Sequence, residues 1–407
     1  MFLPILTDKP VLITNVPRIT DIQKNLEILK SLGASLVFDK NTIEIECRDL
    51  STRRISQEEA TATTGSKFLI PLLTARFGNL ETFPSGGDDI GDRGFDNYVN
   101  LIKKFGIGHE KFSGGLYKFH LEDRFEESIE LPFPSYGLTV LAVLCGMRHR
   151  KPFEIGNISI EPEIFDFLDT VELFGVKVFR IDVGRILIEP HTNIVEKIHY
   201  TNSMDRNVAA TYLIAATAKK KKLILEGFDN RGFGKLFETL NALGAEVTLD
   251  ENSVTIDANE CFSKTADMDL STHIFPMLHS DWNAMLSVVL TQQPGSHCVQ
   301  ELLFEDRMKH WPELGKMGVD YEFRNPRRTR LVKGRPSFVS FQGDQPFLPA
   351  DVYATDLRTG AALLMAASLT KGSTEIQNIG EVYRGYEDLP LVFSKMFDDF
   401  HYEKSAN

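Results

Sequence analysis

The sequence predicts an α/β fold assembled from copies of one unit, and three observations carry that reading. Five times an apolar-periodic helix runs into a glycine stop: Leu32-Gly33-Ala34, Phe105-Gly106-Ile107, Phe174-Gly175-Val176, Leu243-Gly244-Ala245 and Met317-Gly318-Val319. After each stop come two strand-like runs separated by turn residues, and the interval of about 70 residues is that of an internal repeat. The 407 residues exceed the about 250–300 at which a single hydrophobic core stops growing. Two domains of three units each are therefore expected, at 1–202 and 203–407.

The chain opens on an apolar strand, Val11 to Pro17. In the first full copy Ile22, Leu26, Leu29 and Leu32 share one helical face, and Gly33 supplies the left-handed residue that ends the helix. Ser35 to Phe38 and Thr42 to Ile45 then read as strands around the turn Asp39-Lys40-Asn41. The later copies repeat this logic, with a helix over 98–105 in the second. Their turns fall at Ser113-Gly114-Gly115, Asp182-Val183-Gly184, Asp250-Glu251-Asn252 and Asn325-Pro326. The tail from Phe393 to Lys404 reads as a sixth helix whose hairpin has faded.

Composition narrows the function classes. The net charge of −12 opposes nucleic acid as a partner, because that binding is driven by neutralising phosphates. No apolar run approaches the ~20 residues of a membrane span, and the N-terminus lacks the basic and small-residue features of a signal peptide, so a cytoplasmic protein without a membrane partner is expected. Cys47, Cys145, Cys261 and Cys298 are scattered singly, without metal-ligand spacing, and read as reduced core residues. Lys219 to Lys222 reads as a solvated turn after a small-residue helix, and Arg324 to Arg335 as a solvated hairpin tip. No Walker A, GxGxxG or HExxH pattern occurs, and the histidines lack ligand spacing apart from His273 and His279 flanking a loop. No metal and no cofactor is expected.

The remaining chemistry lies in glycine-rich loops and arginines between units. The loop from Pro84 to Asp96 holds four glycines between Ser85 and Phe95 that allow close backbone approach, Arg93 as a bidentate anion grip, and aspartates able to move a proton. Phe133 to Thr139 enters a helix whose free N–H groups suit an anion, although Ser135 is equally a plain cap. Phe304-Glu305-Asp306-Arg307, Ala354-Thr355-Asp356-Leu357-Arg358 and Tyr383-Arg384-Gly385-Tyr386-Glu387 each contribute one arginine.

These segments, in this order and together with Glu161-Pro162-Glu163-Ile164 and Pro312-Glu313-Leu314, resemble the enolpyruvyl transferases, and among them the UDP-N-acetylglucosamine 1-carboxyvinyltransferases. The resemblance spans nearly the whole chain. It implies two inside-out α/β domains, each of three βαβαββ-like units about a pseudo-threefold axis, with ligands in the cleft between them. The implied reaction is addition of the 3-hydroxyl of UDP-N-acetylglucosamine to phosphoenolpyruvate with loss of phosphate, the first committed step of peptidoglycan precursor synthesis, by a monomer. Such chemistry needs a proton acceptor, a proton donor and cations around two anionic substrates. By resemblance Asp281 is the candidate base at the sugar hydroxyl, its other reading being a helix cap. Arg307, Arg358 and Arg384 match the clamp on phosphoenolpyruvate, and Asp356 its brace. Arg93 matches the loop arginine at the phosphate, Asp96 with Gly94, Phe95 and Glu305 the nucleotide-sugar pocket, and Ser135 with Tyr136 and Gly137 the diphosphate contact.

Three departures stand out. Asp88 occupies the position of the loop cysteine; a carboxyl can still deliver a proton if its pKa is raised, but it cannot form the thioether made by fosfomycin, so an active acid and fosfomycin insensitivity are expected. The family's N-terminal Gly-x-Lys-Asn turn has no counterpart, and Met1 falls inside the helix that follows it. A late recorded start or a fragment is expected, impaired as it stands and with a sheet edge exposed in the C-terminal domain. Thr64-Gly65-Ser66 replaces an Arg-Ala-Ser, leaving Lys67 as the nearby cation. Other readings stay open: a catalytically silent UDP-sugar-binding relative, enolpyruvyl transfer to shikimate 3-phosphate, and an RNA-phosphate cyclase built on the same unit.

Overall fold

Alternating apolar residues set the first of two compact units, which holds residues 1–87 and 95–203. In Val11–Thr14, Val11 and Ile13 are buried; in Thr42–Glu46, Ile43 and Ile45 are; the residues between them face outward, as a half-buried strand requires. Among the described residues three sheets result. The first runs Ile198–Thr201, Val11–Thr14, Thr42–Glu46, Ser35–Asp39; the second Asn79–Thr82, Tyr117–Leu121, Ile107–Lys111; the third Ser128–Glu130, Phe153–Gly156, Arg185–Pro190, Val176–Asp182. The structure is a computed structural model that describes residues 1–51, 53–87, 95–190, 197–324 and 337–403.

The second unit, residues 204–403, repeats the plan. Its sheets run Lys222–Glu226, Ser253–Asp257, Glu246–Leu249; then Leu278–His279, Met268–His273, Ser296–Glu301, Ser337–Gln342, Glu322–Arg324; and finally Asp351–Tyr353 paired with Glu375–Gln377. In the five hairpin-bearing copies the strand that follows the helix takes the sheet edge and its hairpin partner lies inside. All five glycine stops have positive φ, from 71° at Gly106 to 104° at Gly33, a conformation that costs any residue with a Cβ.

Two kinds of helix follow from two kinds of sequence. Thr20–Ser31, Phe95–Lys104, Pro162–Glu172 and Gly234–Ala242 carry apolar residues on one face and cover the sheets. Tyr136–Met147, Arg206–Ala218, Asn283–Leu290 and Leu357–Leu369 are apolar or small almost all round and are buried. The last three pack on one another and form the centre of the second unit.

The structure departs from the sequence reading at several places. The second-copy helix begins at Phe95 and ends at Lys104. The final helix is Leu389–Met396, started by the Asp388 cap and Pro390, so the expected helix over 393–404 is corrected. Lys219 is no solvated residue: its ammonium donates to the Ser368 carbonyl at 2.8 Å and to Asp399 at 2.7 Å. Cys298 is only half-buried, whereas Cys47, Cys145 and Cys261 are buried, and all four are free thiols. The turn at Asn325-Pro326 and most of the basic stretch after Arg324 lie outside the described residues. Among the described residues no helix is long and apolar enough to cross a membrane, and no group of three His, Cys, Asp or Glu could hold a metal ion.

Candidate active site

The three central helices of the second unit begin close together, and local capping fixes what they present there. Asp205 accepts the N–H groups of Asn207 and Val208 at 2.8 and 3.0 Å, which starts Arg206–Ala218 with Asn207 in its first turn. Asp356 accepts those of Arg358 and Thr359 at 2.9 and 3.0 Å, which starts Leu357–Leu369 with Arg358 in its first turn. A 3₁₀ turn, Ser280–Trp282, leads into Asn283–Leu290; its cap is His279, whose Nδ1 accepts from the Asp281 N–H, so Asp281 is not itself the cap.

Asp281 is where the three starts meet. Its Oδ2 accepts from Arg358 Nη2 at 2.8 Å, Arg358 Nε at 3.1 Å and Asn207 Nδ2 at 3.1 Å; its Oδ1 accepts from Arg307 Nη2. Asn207 in turn accepts from the Trp282 indole N–H at 3.0 Å. Arg358 Nη1 donates to the Tyr386 hydroxyl at 3.0 Å, and that hydroxyl lies 2.7 Å from Thr211 Oγ1. The partial positive charge of helix starts adds to the two guanidinium groups, so the cluster is suited to an anion.

Burial alone would raise the Asp281 pKa, but Arg307 and Arg358 outweigh it and hold the carboxyl well below the usual carboxylate range. Burial would likewise lower Arg358, and Asp281 reverses that effect and raises it. Burial pushes the Tyr386 phenol up. In this arrangement Asp281 is a weak base whose acceptor sites are filled by two guanidinium groups and the Asn207 amide. An anion that took over the guanidinium groups would release it. Beside Arg307, His310 is wholly buried with Nε2 3.1 Å from Ser287 Oγ, and burial lowers its pKa to about 4, leaving it neutral at pH 7.

The structure thus brings Asp281, Arg307 and Arg358 together. Arg384 ends the 3₁₀ turn Ile379–Arg384, two residues before Tyr386, and donates to Glu381 at 2.9 Å. Asp356 is engaged as a helix cap, with its second oxygen accepting from Thr359 Oγ1 at 2.6 Å and Thr355 Oγ1 at 3.1 Å. Burial would raise its pKa, but the Thr359 bonds and Arg307 lower it. Glu305 is half-buried in the turn before Arg307.

In the first unit Ser135 caps Tyr136–Met147, accepting from the Leu138 N–H at 3.4 Å, and Tyr136 is exposed. A Cβ on Gly137 would lie 3.2 Å from the Tyr98 hydroxyl and 3.5 Å from Lys67 Cε. Lys67 is only 5% exposed, its ammonium 4.7 Å from the centre of the Tyr98 ring and 5.2 Å from that of Phe68. Phe95 packs edge-on against Tyr117, and Asp96 is exposed in the first turn of its helix. A Cβ on Gly86 would come within 1.9 Å of the Thr61 carbonyl oxygen, a close approach only glycine permits. Asp88, Arg93 and Gly94 lie outside the described residues.

Sequence reasoning missed Asn207, which bonds Asp281, together with Trp282, which bonds Asn207, and Tyr386, which bonds Arg358. Tyr386 stood inside the Arg384-Gly385-Tyr386-Glu387 segment and could have been found there. Asn207 carries no local signal, because a polar residue after a capping aspartate is ordinary in a first turn.

Repeated α/β units in two bodies and an arginine-carboxylate cluster at converging helix starts agree with what three comparisons return. The chain belongs to the EPSP synthase (3-phosphoshikimate 1-carboxyvinyltransferase) family, whose model matches residues 1–393. Among curated relatives it is 30% identical to the UDP-N-acetylglucosamine 1-carboxyvinyltransferase of Thermotoga petrophila, over 99% of this chain and 92% of that one. It is 29% identical to the enzyme of the same name from Halothermothrix orenii, over 95% of this chain and 89% of that one. In fold it is similar to the enolpyruvyl transferase NikO from Streptomyces tendae, with a TM-score of 0.81 at 19% identity over 98% of this chain and 90% of that one. EPSP synthase from Acinetobacter baumannii superposes with a TM-score of 0.67 at 14% identity, over 97% of this chain and 93% of that one.

Proposed function

We propose that the protein transfers the enolpyruvyl group of phosphoenolpyruvate to the 3-hydroxyl of UDP-N-acetylglucosamine and releases phosphate. The near-full-length likeness to relatives bearing that enzyme name supports this choice of acceptor. The observation that carries the chemistry is Asp281 held between Arg307 and Arg358.

In this reading the anionic enolpyruvate takes the guanidinium groups of Arg307 and Arg358, with Arg384 from the neighbouring turn. Asp281, released from them, accepts the proton of the sugar hydroxyl as the hydroxyl oxygen bonds to C2 of phosphoenolpyruvate. Asp88 gives a proton to C3, which completes a tetrahedral intermediate. Expulsion of phosphate from C2 then re-forms the double bond as a proton leaves C3. Arg93 holds the phosphate, Ser135, Tyr136 and Gly137 the diphosphate, and Gly94, Phe95, Asp96 and Glu305 the rest of the nucleotide sugar. No metal or cofactor takes part. The protein works as a cytoplasmic monomer in cell-wall synthesis, and through it in cell shape and division, without nucleic-acid or membrane partners.

The test is phosphate release by the purified protein from phosphoenolpyruvate, with UDP-N-acetylglucosamine or shikimate 3-phosphate as acceptor and the product identified by mass. Release with the nucleotide sugar alone is the expected result. Release only with shikimate 3-phosphate overturns the acceptor, and binding of UDP-sugar without release overturns the reaction.

A further inference from the structure

Glu301, at the end of the strand Ser296–Glu301, is wholly buried, and its carboxylate accepts four hydrogen bonds from three separate segments. Oε2 accepts from Thr272 Oγ1 and Ser280 Oγ, both at 2.7 Å. Oε1 accepts from the N–H groups of Leu303 at 2.8 Å and Phe304 at 3.0 Å. Ser280 immediately precedes Asp281, and Leu303-Phe304 opens the turn that ends in Arg307, whose guanidinium carbon lies 5.3 Å from the centre of the Phe304 ring. Asp281 and Arg307 then bond to each other, closing a ring of contacts that starts and finishes at one carboxylate.

A buried carboxylate whose four sites are filled by charge-assisted bonds is rigid. A structural anchor for one loop would need only the two backbone N–H groups. Joining that loop to the Ser280 turn does something more: it sets the distance between the carboxylate of Asp281 and the guanidinium of Arg307. We propose that Glu301 is a positioning residue for the Asp281–Arg307 pair, which holds the candidate base and one arm of the anion clamp in register. The proposal rests on the reaction assigned above.

Two variants test it in the full chain. Glu301→Gln keeps the shape and an oxygen for Leu303 and Phe304 but turns a donor toward Ser280 and Thr272; Ser280→Ala removes a single arm. Hydrogen exchange of the guanidinium N–H groups, followed by nitrogen-15 NMR, reads the pair without substrate. Arg307 is expected to exchange at least about tenfold faster in both variants while Arg358, held also by Tyr386, changes little. Turnover is expected to fall about 10–100-fold, as small misplacements do, and Glu301→Gln is expected to add almost nothing to an Asp281→Asn variant. Unchanged exchange at Arg307, or equal acceleration of both arginines and the backbone amides, overturns the proposal. Wild-type protein that releases no phosphate overturns the reaction instead, and the exchange measurement still decides the role of Glu301.

Discussion

Asp281 and Arg358 meet through a single carboxylate oxygen, Oδ2, which takes both Nε and Nη2 of the guanidinium at 3.1 and 2.8 Å. The other oxygen faces Arg307. Two cations on one half-buried carboxylate stabilise this arrangement and suppress the basicity of Asp281. In the proposed reaction the same contacts set an order: an anion would take the two guanidinium groups before Asp281 could accept a proton.

Asp281→Asn is the direct test of that exchange. The amide keeps the shape but weakens the hold on both arginines, so an incoming anion no longer displaces charge-assisted bonds of about 1.5–3 kcal/mol. Phosphoenolpyruvate affinity measured by calorimetry is expected to rise about tenfold or more, and turnover to fall at least about 10²-fold. Affinity that stays the same or weakens would mean that the anion does not take the place of the carboxylate.

His310 makes stability depend on pH in a defined window. Its pKa is about 4 in the fold against 6.5 for the free group, so between these values the unfolded chain binds more protons and stability rises with pH. The contribution is complete above pH 6.5 and is lost as pH falls toward 4, about 3 kcal/mol in all. Asp281 has the same sign in a lower window: its depressed pKa contributes above the ordinary carboxylate value and fades only below it, so it is silent between pH 6.5 and about 4. Urea midpoints between pH 7 and 4.5 are expected to fall less steeply in His310→Gln than in the wild type. Equal slopes would show that the imidazole is not kept neutral.

What could be read from the sequence was local. A glycine stop needs positive φ and a hairpin needs its turn residues, so the repeat was visible in the residues themselves. The last helix was misplaced because Phe393, Phe397 and Phe400 mimic a helical face. Only Phe393 is helical, and the three rings cluster through an irregular chain with centroids 5.5 and 6.1 Å from that of Phe393. Asp388-Leu389-Pro390 was the better start signal. Lys219 was misread because its partners lie 149 and 180 residues away, and Asn207 was missed because Asp281 lies 74 residues away. Such contacts leave no mark on neighbouring residues. The anion cluster was legible only through motifs matched to a family, and its two-arginine lock on Asp281 was not legible at all.

Lys67 lies against Gly137, next to the Ser135 cap, where the resemblance places the diphosphate contact. The buried ammonium lies over the faces of Phe68 and Tyr98, which attract a cation, and an anion nearby would add to that attraction. Lys67→Met is expected to weaken UDP-N-acetylglucosamine binding about tenfold by calorimetry, the loss of one charge-assisted bond. Unchanged affinity would assign Lys67 to packing alone.

In the proposed reaction an aspartate at position 88 would separate two functions that a cysteine there would combine. Opening the fosfomycin epoxide needs a strong nucleophile, and a thiolate qualifies where a carboxylate at neutral pH does not. Donating a proton needs only an acid whose pKa has been brought toward the working pH, which a carboxyl can supply. Wild-type protein incubated with fosfomycin is therefore expected to keep its mass and its rate of phosphate release, whereas Asp88→Cys should gain the mass of one inhibitor molecule and lose activity in step with that gain. Asp88→Asn should lower turnover at least about 10²-fold without changing nucleotide-sugar affinity, because it removes the proton but not the shape. Modification of the wild type at this loop, or full activity of Asp88→Asn, would remove Asp88 from the acid role.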